Sequence, residues 1–195
     1  MKNILALVAA TLSVGCLVTG CQSPQPAFKA PMRAAQPTEN NCLSLLHQLL
    51  DEQKDVSILR FIKREHSDVK ELVKKIATTS GTGSKLLEEF ARKDPSLNLD
   101  AILLPSGEVA TRDAIASAKK NELLSQTGDE LELTLLLTQT EALSYAWHLA
   151  QVASENDSQA DRARALAGLS EDMKNLYQEV FALLLSKENH PQQST

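Results

Sequence analysis

The chain of 195 residues is 43% hydrophobic and 23% charged with a formal net charge of −5, a balance that excludes a disordered chain; with no basic run it also excludes nucleic acid as a partner. Only 4% of residues are aromatic, so the core has to be built mainly from Leu, Ala, Val and Ile. Seven Gly and seven Pro are too few for the turns of an all-β fold, and the length suits one domain beyond an export signal and a linker.

The chain opens with Lys2, an apolar run and small residues, the make-up of an export signal over residues 1–20. Val18-Thr19-Gly20-Cys21 resembles the lipobox of bacterial lipoproteins. That resemblance implies that Cys21 is acylated, becomes the mature N-terminus and ties the protein to a membrane through its lipid. Leu12-Ser13-Val14-Gly15-Cys16 fits less well, because Ser13 stands where the pattern has an aliphatic residue. Gln22 follows the cysteine where retention at the inner membrane would use Asp, so the expected place is the periplasmic side of the outer membrane. Cys16 leaves with the signal and Cys21 carries lipid, which leaves Cys42 without a disulfide partner, as a buried thiol beside Leu45, Leu46 and Leu49.

Residues 21–40 hold four prolines and few large apolar groups, and read as a tether of roughly 25 Å coil reach. From residue 41 the pattern turns helical and stays so to 187, with a fraying tail over 188–195. Residues 42–55 and 56–77 form two amphipathic runs, the second with Ile62, Val69, Val73 and Ile76 on its stripe and Glu71 and Lys75 paired outside. Ser80-Gly81-Thr82-Gly83-Ser84 reads as a turn, since it lacks the lysine and spacing of a phosphate loop. A short helix over 85–93 ends at Asp94-Pro95, and Leu97–Pro105 reads as an irregular apolar segment laid over a bundle end. Ser106 is the expected cap of a polar helix over 107–126.

Gly128–Asn156 is the organising helix. Leu131, Leu135, Ala142, Ala146, Leu149 and Ala153 make its main stripe, and Leu136, Leu143 and Trp147 add a second flank, so it should touch neighbours on more than one side. Thr127 with Glu130 reads as its capping box, and Ser158 with Asp161 as that of the last helix, 159–187. Four long helices without strand signals predict an all-α, antiparallel four-helix bundle with an extra short helix.

Two stretches in order, VSILRFIKREHSDVKELVKKIA with Glu65-His66 and LLSQTGDELELTLLLTQTEAL with Leu131-Glu132 and Gln139, resemble an uncharacterised bacterial envelope family of ferritin-like bundles. The resemblance covers most of residues 42–187 and implies that fold. The family pattern has a second histidine shortly after Gln139; here those positions are Thr140, Glu141, Ala142 and Leu143, so only His66 carries over.

Di-iron sites in such bundles use Glu-x-x-His pairs, because i and i+3 close on one metal. The residues three before the four histidines are Ser44, Lys63, Tyr145 and Lys187, none of them Glu. His66, set between Ile62, Val69 and Val73, is expected to be buried and neutral, the first candidate for a metal or ligand contact. Glu141 and His148 edge the apolar face of the organising helix and, with Tyr145 between them, suggest a hydrogen-bonded string. Seven residues put them roughly 10.5 Å apart, too far to share one ion. No nucleophile–base pair is evident and no cofactor is implied. The sequence therefore reads as a lipid-anchored, non-catalytic envelope bundle that serves a structural or interaction role beside an envelope protein, the alternative being a metal- or ligand-binding bundle with His66 in its site.

Overall fold

Among the described residues, apolar positions recurring every three to four residues close into five α-helices: α1 Thr38–Lys54, α2 Ser67–Lys93, α3 Ser106–Ser125, α4 Gly128–Asn156 and α5 Ala160–Glu188. A computed structural model describes residues 38–55, 66–101 and 103–188. Among these the fold is all-α with no strand, and no helix is long and apolar enough to cross a membrane. The signal, Cys21 and most of the tether lie outside the described residues.

α4 is the central strut. It packs most extensively on α5, also on α1, and lightly on α3. Leu131, Leu135, Leu136 and Leu143 are buried completely or nearly so, while Ala142 is half-buried. Each buried leucine contributes about 1.5–3 kcal/mol of apolar transfer, so the stripe alone outweighs any capping term.

Polar contacts set the directions of the helices. Ser154 Oγ donates to Ala163 O (2.9 Å), Ser170 Oγ to Trp147 O (3.3 Å) and Lys187 Nζ to Glu132 Oε2 (2.6 Å), so α4 and α5 run antiparallel. Leu50 meets Gly83 and His47 meets Glu88, so α1 and α2 are antiparallel too. α2 and α5 join through the ion pair of Lys75 with Glu179, which replaces the expected Glu71–Lys75 pair.

The largest correction concerns residues 80–84. The expected turn and the separate helix over 85–93 are one continuous helix, α2. Ser80, Gly83 and Ser84 are buried, and a Cβ on Gly83 would lie 2.9 Å from both Leu50 Cδ1 and Leu169 Cδ1. The small residues let α1 and α5 approach the α2 backbone; they do not break it. Intrinsic propensity, about 1 kcal/mol against Gly, lost to tertiary packing.

Helix ends also differ from expectation. α1 begins at Thr38, inside the expected tether, because buried Asn40 accepts the Asn98 N–H at its Oδ1 (3.0 Å). Thr127 makes no side-chain cap bond; the turn is made by Gly128 in the left-handed region, at φ 61°. Ser106 is already helical, with Pro105 at the cap position. At α5 it is Asp157, not Ser158, whose Oδ1 accepts the Gln159 N–H (2.8 Å), while Asp161 pairs with Arg164. The irregular segment after Asp94 behaves as expected: Ala101 O accepts from Ser44 Oγ (3.1 Å) and Leu97 is buried against the helix ends.

α3 covers little. Leu123 is its one buried residue among those described, and it is held to α4 by Arg112 Nη1, which donates to Tyr145 Oη (2.9 Å). It carries the chain from the end of the fold where α2 finishes to the end where α4 starts.

Candidate functional site

His66 is not buried. Helix α2 starts at Ser67, and His66 stands at its N-terminal boundary with its side chain 65% exposed. The expected stripe with Ile62 fails here because residue 66 precedes the first helical turn; Ile62 itself lies outside the described residues. The burial expected of this imidazole from the sequence is thereby overturned.

What is buried is its partner. Glu132, in the second turn of α4, is 1% exposed. Its carboxylate accepts from the His66 backbone N–H, from His66 Nδ1 (3.0 and 2.9 Å to its two oxygens) and from Lys187 Nζ (2.6 Å). A carboxylate only accepts, so Nδ1 carries the hydrogen. Burial alone would raise the pKa of Glu132, but the bonds from Lys187 and His66 outweigh it and hold the carboxyl below its ordinary range. Asp129 stands close by, so His66, Asp129 and Glu132 each offer an atom within 4.8 Å of the others. The cluster joins the start of α2, the start of α4 and the end of α5.

The opposite end has a matching device. Arg162, 7% exposed in its side chain, donates to Glu39 of α1, to Asp94 Oδ2 after α2 (2.9 Å) and to the fully buried side chain of Asp157 between α4 and α5. Burial would lower its pKa, yet the bonds to Asp157 and Asp94 raise it, so it is permanently charged. Glu39 is shifted up, chiefly by burial, and Asp94 down, by its bonds from Ser96 and Arg162. One guanidinium fork thus ties four chain segments, as its five fixed donors allow.

The other sequence candidates stand apart. Glu141 and His148 are both exposed on α4, and sixteen residues separate Glu132 from His148, about 24 Å along the axis. The expected string does not form: Tyr145 takes Arg112, and His148 Nδ1 bonds to Ser144 O (2.7 Å) with its ring against Trp147. Cys42 is free and half-buried rather than buried, with burial raising its thiol pKa. Glu132 and Arg162 were missed, although both sit inside apolar stripes, with Leu135, Leu136 and Gln139 in one case and Leu166 and Leu169 in the other. A charge at such a register is the available sequence signal of a buried ion pair.

A cleft of about 180 Å³ lies between α1, α3 and α4, lined by Leu45, Leu49, Val109, Arg112 and Tyr145 among others. Ligand pockets typically run about 300–1,000 Å³, so this one is small for an organic substrate. The outer seam of α4 and α5 is different in kind. Leu133 and Leu137 of α4 and Phe181 and Leu185 of α5 are all exposed, at heights the antiparallel register brings level. Trp147, Tyr177 and Phe181 continue it as a run of rings with centroids 6.2 Å apart.

No family model matches the chain, and neither the curated proteins nor the solved structures give a match. Any functional reading therefore rests on the residues themselves.

Proposed function

We propose that the protein is a lipid-anchored bacterial envelope protein: a non-catalytic helical bundle that docks an envelope protein partner along the seam of α4 and α5. The observation that carries this reading is the row of exposed apolar side chains, Leu133, Leu137, Phe181 and Leu185, in line with the Trp147–Tyr177–Phe181 rings. Scattered surface apolar residues need no explanation, but a contiguous aromatic-rich stripe fits the centre of a protein interface. The buried carboxylate of Glu132 and the Arg162 fork support it from the other side, because their bonding capacity holds helix ends together. A ferritin-like arrangement also belongs to this reading: α1 antiparallel to α2, a long crossover containing α3, then α4 antiparallel to α5 is the one-crossover layout of such bundles. The lipobox resemblance at Cys21 supplies the anchor.

The test is photo-cross-linking in cells. A photoreactive residue replacing Phe181 should give a discrete adduct with another protein, and Leu137→Glu in the same chain should abolish it. The same residue placed at exposed Arg164 should give none. An adduct of twice the chain's own mass, or none at Phe181, contradicts a heterologous partner at the seam.

The cluster at His66 favours a second reading, a divalent-metal site formed with Asp129 and Glu132. Lys187 weighs against it, because its ammonium already holds a Glu132 oxygen where a cation would have to sit.

A further inference from the structure

A second group of ligand-type side chains lies where α1 packs against α2. His47 and Asp51 are four residues apart on that helix, and i and i+4 side chains share one face. Glu88 approaches them from antiparallel α2, and each of the three offers an atom within 4.8 Å of the others. His47 Nε2 is 3.6 Å from Glu88 Oε1. That is beyond a hydrogen bond, but it is close to the ligand–ligand spacing of about 3.4 Å that tetrahedral bonds of about 2.0–2.2 Å around zinc require.

An independent observation marks this group as incomplete. Among the described residues His47 Nε2 is out of contact with water and has no hydrogen-bond partner. A buried ring nitrogen left unpaired costs about 1–3 kcal/mol. The geometry points to a transition-metal site of the zinc class at His47, Asp51 and Glu88. One imidazole and two carboxylates are the donor set for such an ion, while magnesium and calcium prefer oxygen alone. Three protein ligands leave the fourth position to water, since Asp51 and Glu88 are about half exposed. Asp51 Oδ1 also accepts from Lys54 Nζ and, at 3.5 Å, from Ser84 Oγ. The Lys54 ammonium, itself well exposed, therefore competes with the cation for that carboxylate. This site is separate from the seam and from the His66 cluster.

Full-length protein, purified in detergent and stripped with a chelator, is titrated with Zn²⁺ while its thermal unfolding is followed. The midpoint should rise and saturate at one equivalent, because an ion that binds only the folded state stabilises it. Glu88→Gln, an exposed change that cannot disturb the core, should weaken Zn²⁺ binding by more than about tenfold, the lower bound for changes even outside the ligand shell. His47→Gln should do the same, and Lys54→Met should tighten binding by removing the competing ammonium. Mg²⁺ should have no comparable effect, and His66→Gln should leave the Zn²⁺ response intact. An unresponsive wild type, a Glu88→Gln protein that responds like the wild type, or a response lost in His66→Gln would each overturn the assignment.

Discussion

Two charged side chains, one at each end of the helices, decide how the ends are held. Arg162 faces Glu39, Asp94 and Asp157 with almost no contact with water. Removing one member of a buried ionic group strands the others, at a cost of about 3–5 kcal/mol. Arg162→Ala should therefore lower unfolding free energy by that amount in a chemical denaturation, and Arg162→Lys should recover only part of it, since one ammonium cannot reproduce the fork. A loss below about 1 kcal/mol, the range of exposed pairs, would mean the network is solvated. At the other end Glu132 has a pKa below its ordinary value of 4.5. A carboxyl lowered on folding binds its proton more tightly in the unfolded chain, so its contribution is complete above 4.5 and disappears as pH falls through the folded value. Glu132→Gln should destabilise the protein at neutral pH by about 1.5–3 kcal/mol, the range for hydrogen bonds to charged groups. It should also flatten the fall in stability below pH 4.5. Unchanged acid sensitivity in that variant would assign the effect elsewhere. Glu39 acts with the opposite sign, because its pKa is raised, whereas Asp51, Asp94 and Glu132, all lowered, share the acid lability. Residue-scale reading from the sequence was weakest here. The stripe that places His66 assumes a helix running through it, whereas the helix starts one residue later; Glu132 enters the sequence reading only within a resemblance motif, although its register puts it in the core.

At the scale of elements the hydrophobic period was a good guide and the breakers were not. α4 follows the bounds and both flanks expected of it, because a stripe of leucines at helical spacing has one efficient way to leave water. α2 was cut in two by its glycines, since Ser-Gly-Thr-Gly-Ser has the composition of a turn and nothing local reports that two leucines from other helices press on Gly83. The two glycines make a controlled comparison. A Cβ on Gly81 would meet only Lys54 Cβ, at 3.6 Å, an ordinary contact. Gly81→Ala should thus stabilise by about 0.5–1 kcal/mol through backbone entropy and helix propensity. Gly83→Val should destabilise, by about 1–3 kcal/mol or more, because Leu50 and Leu169 are packed and both must move. Paired thermal melts decide it: opposite signs support a packing glycine inside one helix, and two neutral or two stabilising results would return the segment to a turn.

For the molecule as a whole, the all-α class was legible because composition and period agree, whereas the directions of the helices were not, because they are set by contacts between different helices, among them Glu132 with Lys187 and Glu39 with Arg162, 55 and 123 residues apart. The place of α3 was equally hidden: a polar helix with Leu123 as its buried residue carries no signal that it spans the fold as a crossover. The proposed role places this bundle at a membrane to which Cys21 ties it, and two or more acyl chains at about 0.8 kcal/mol per buried CH₂ would make such an anchor firm. Fractionation of cells expressing the wild type and Cys21→Ala, with a clickable palmitate analogue as label, tests it most directly. The wild type should take up the label and stay with membranes through a high-salt wash, while Cys21→Ala should be unlabelled and either soluble or retained with its signal uncleaved. A Cys21→Ala protein that has lost its signal and still resists the wash on the membrane would contradict the claim.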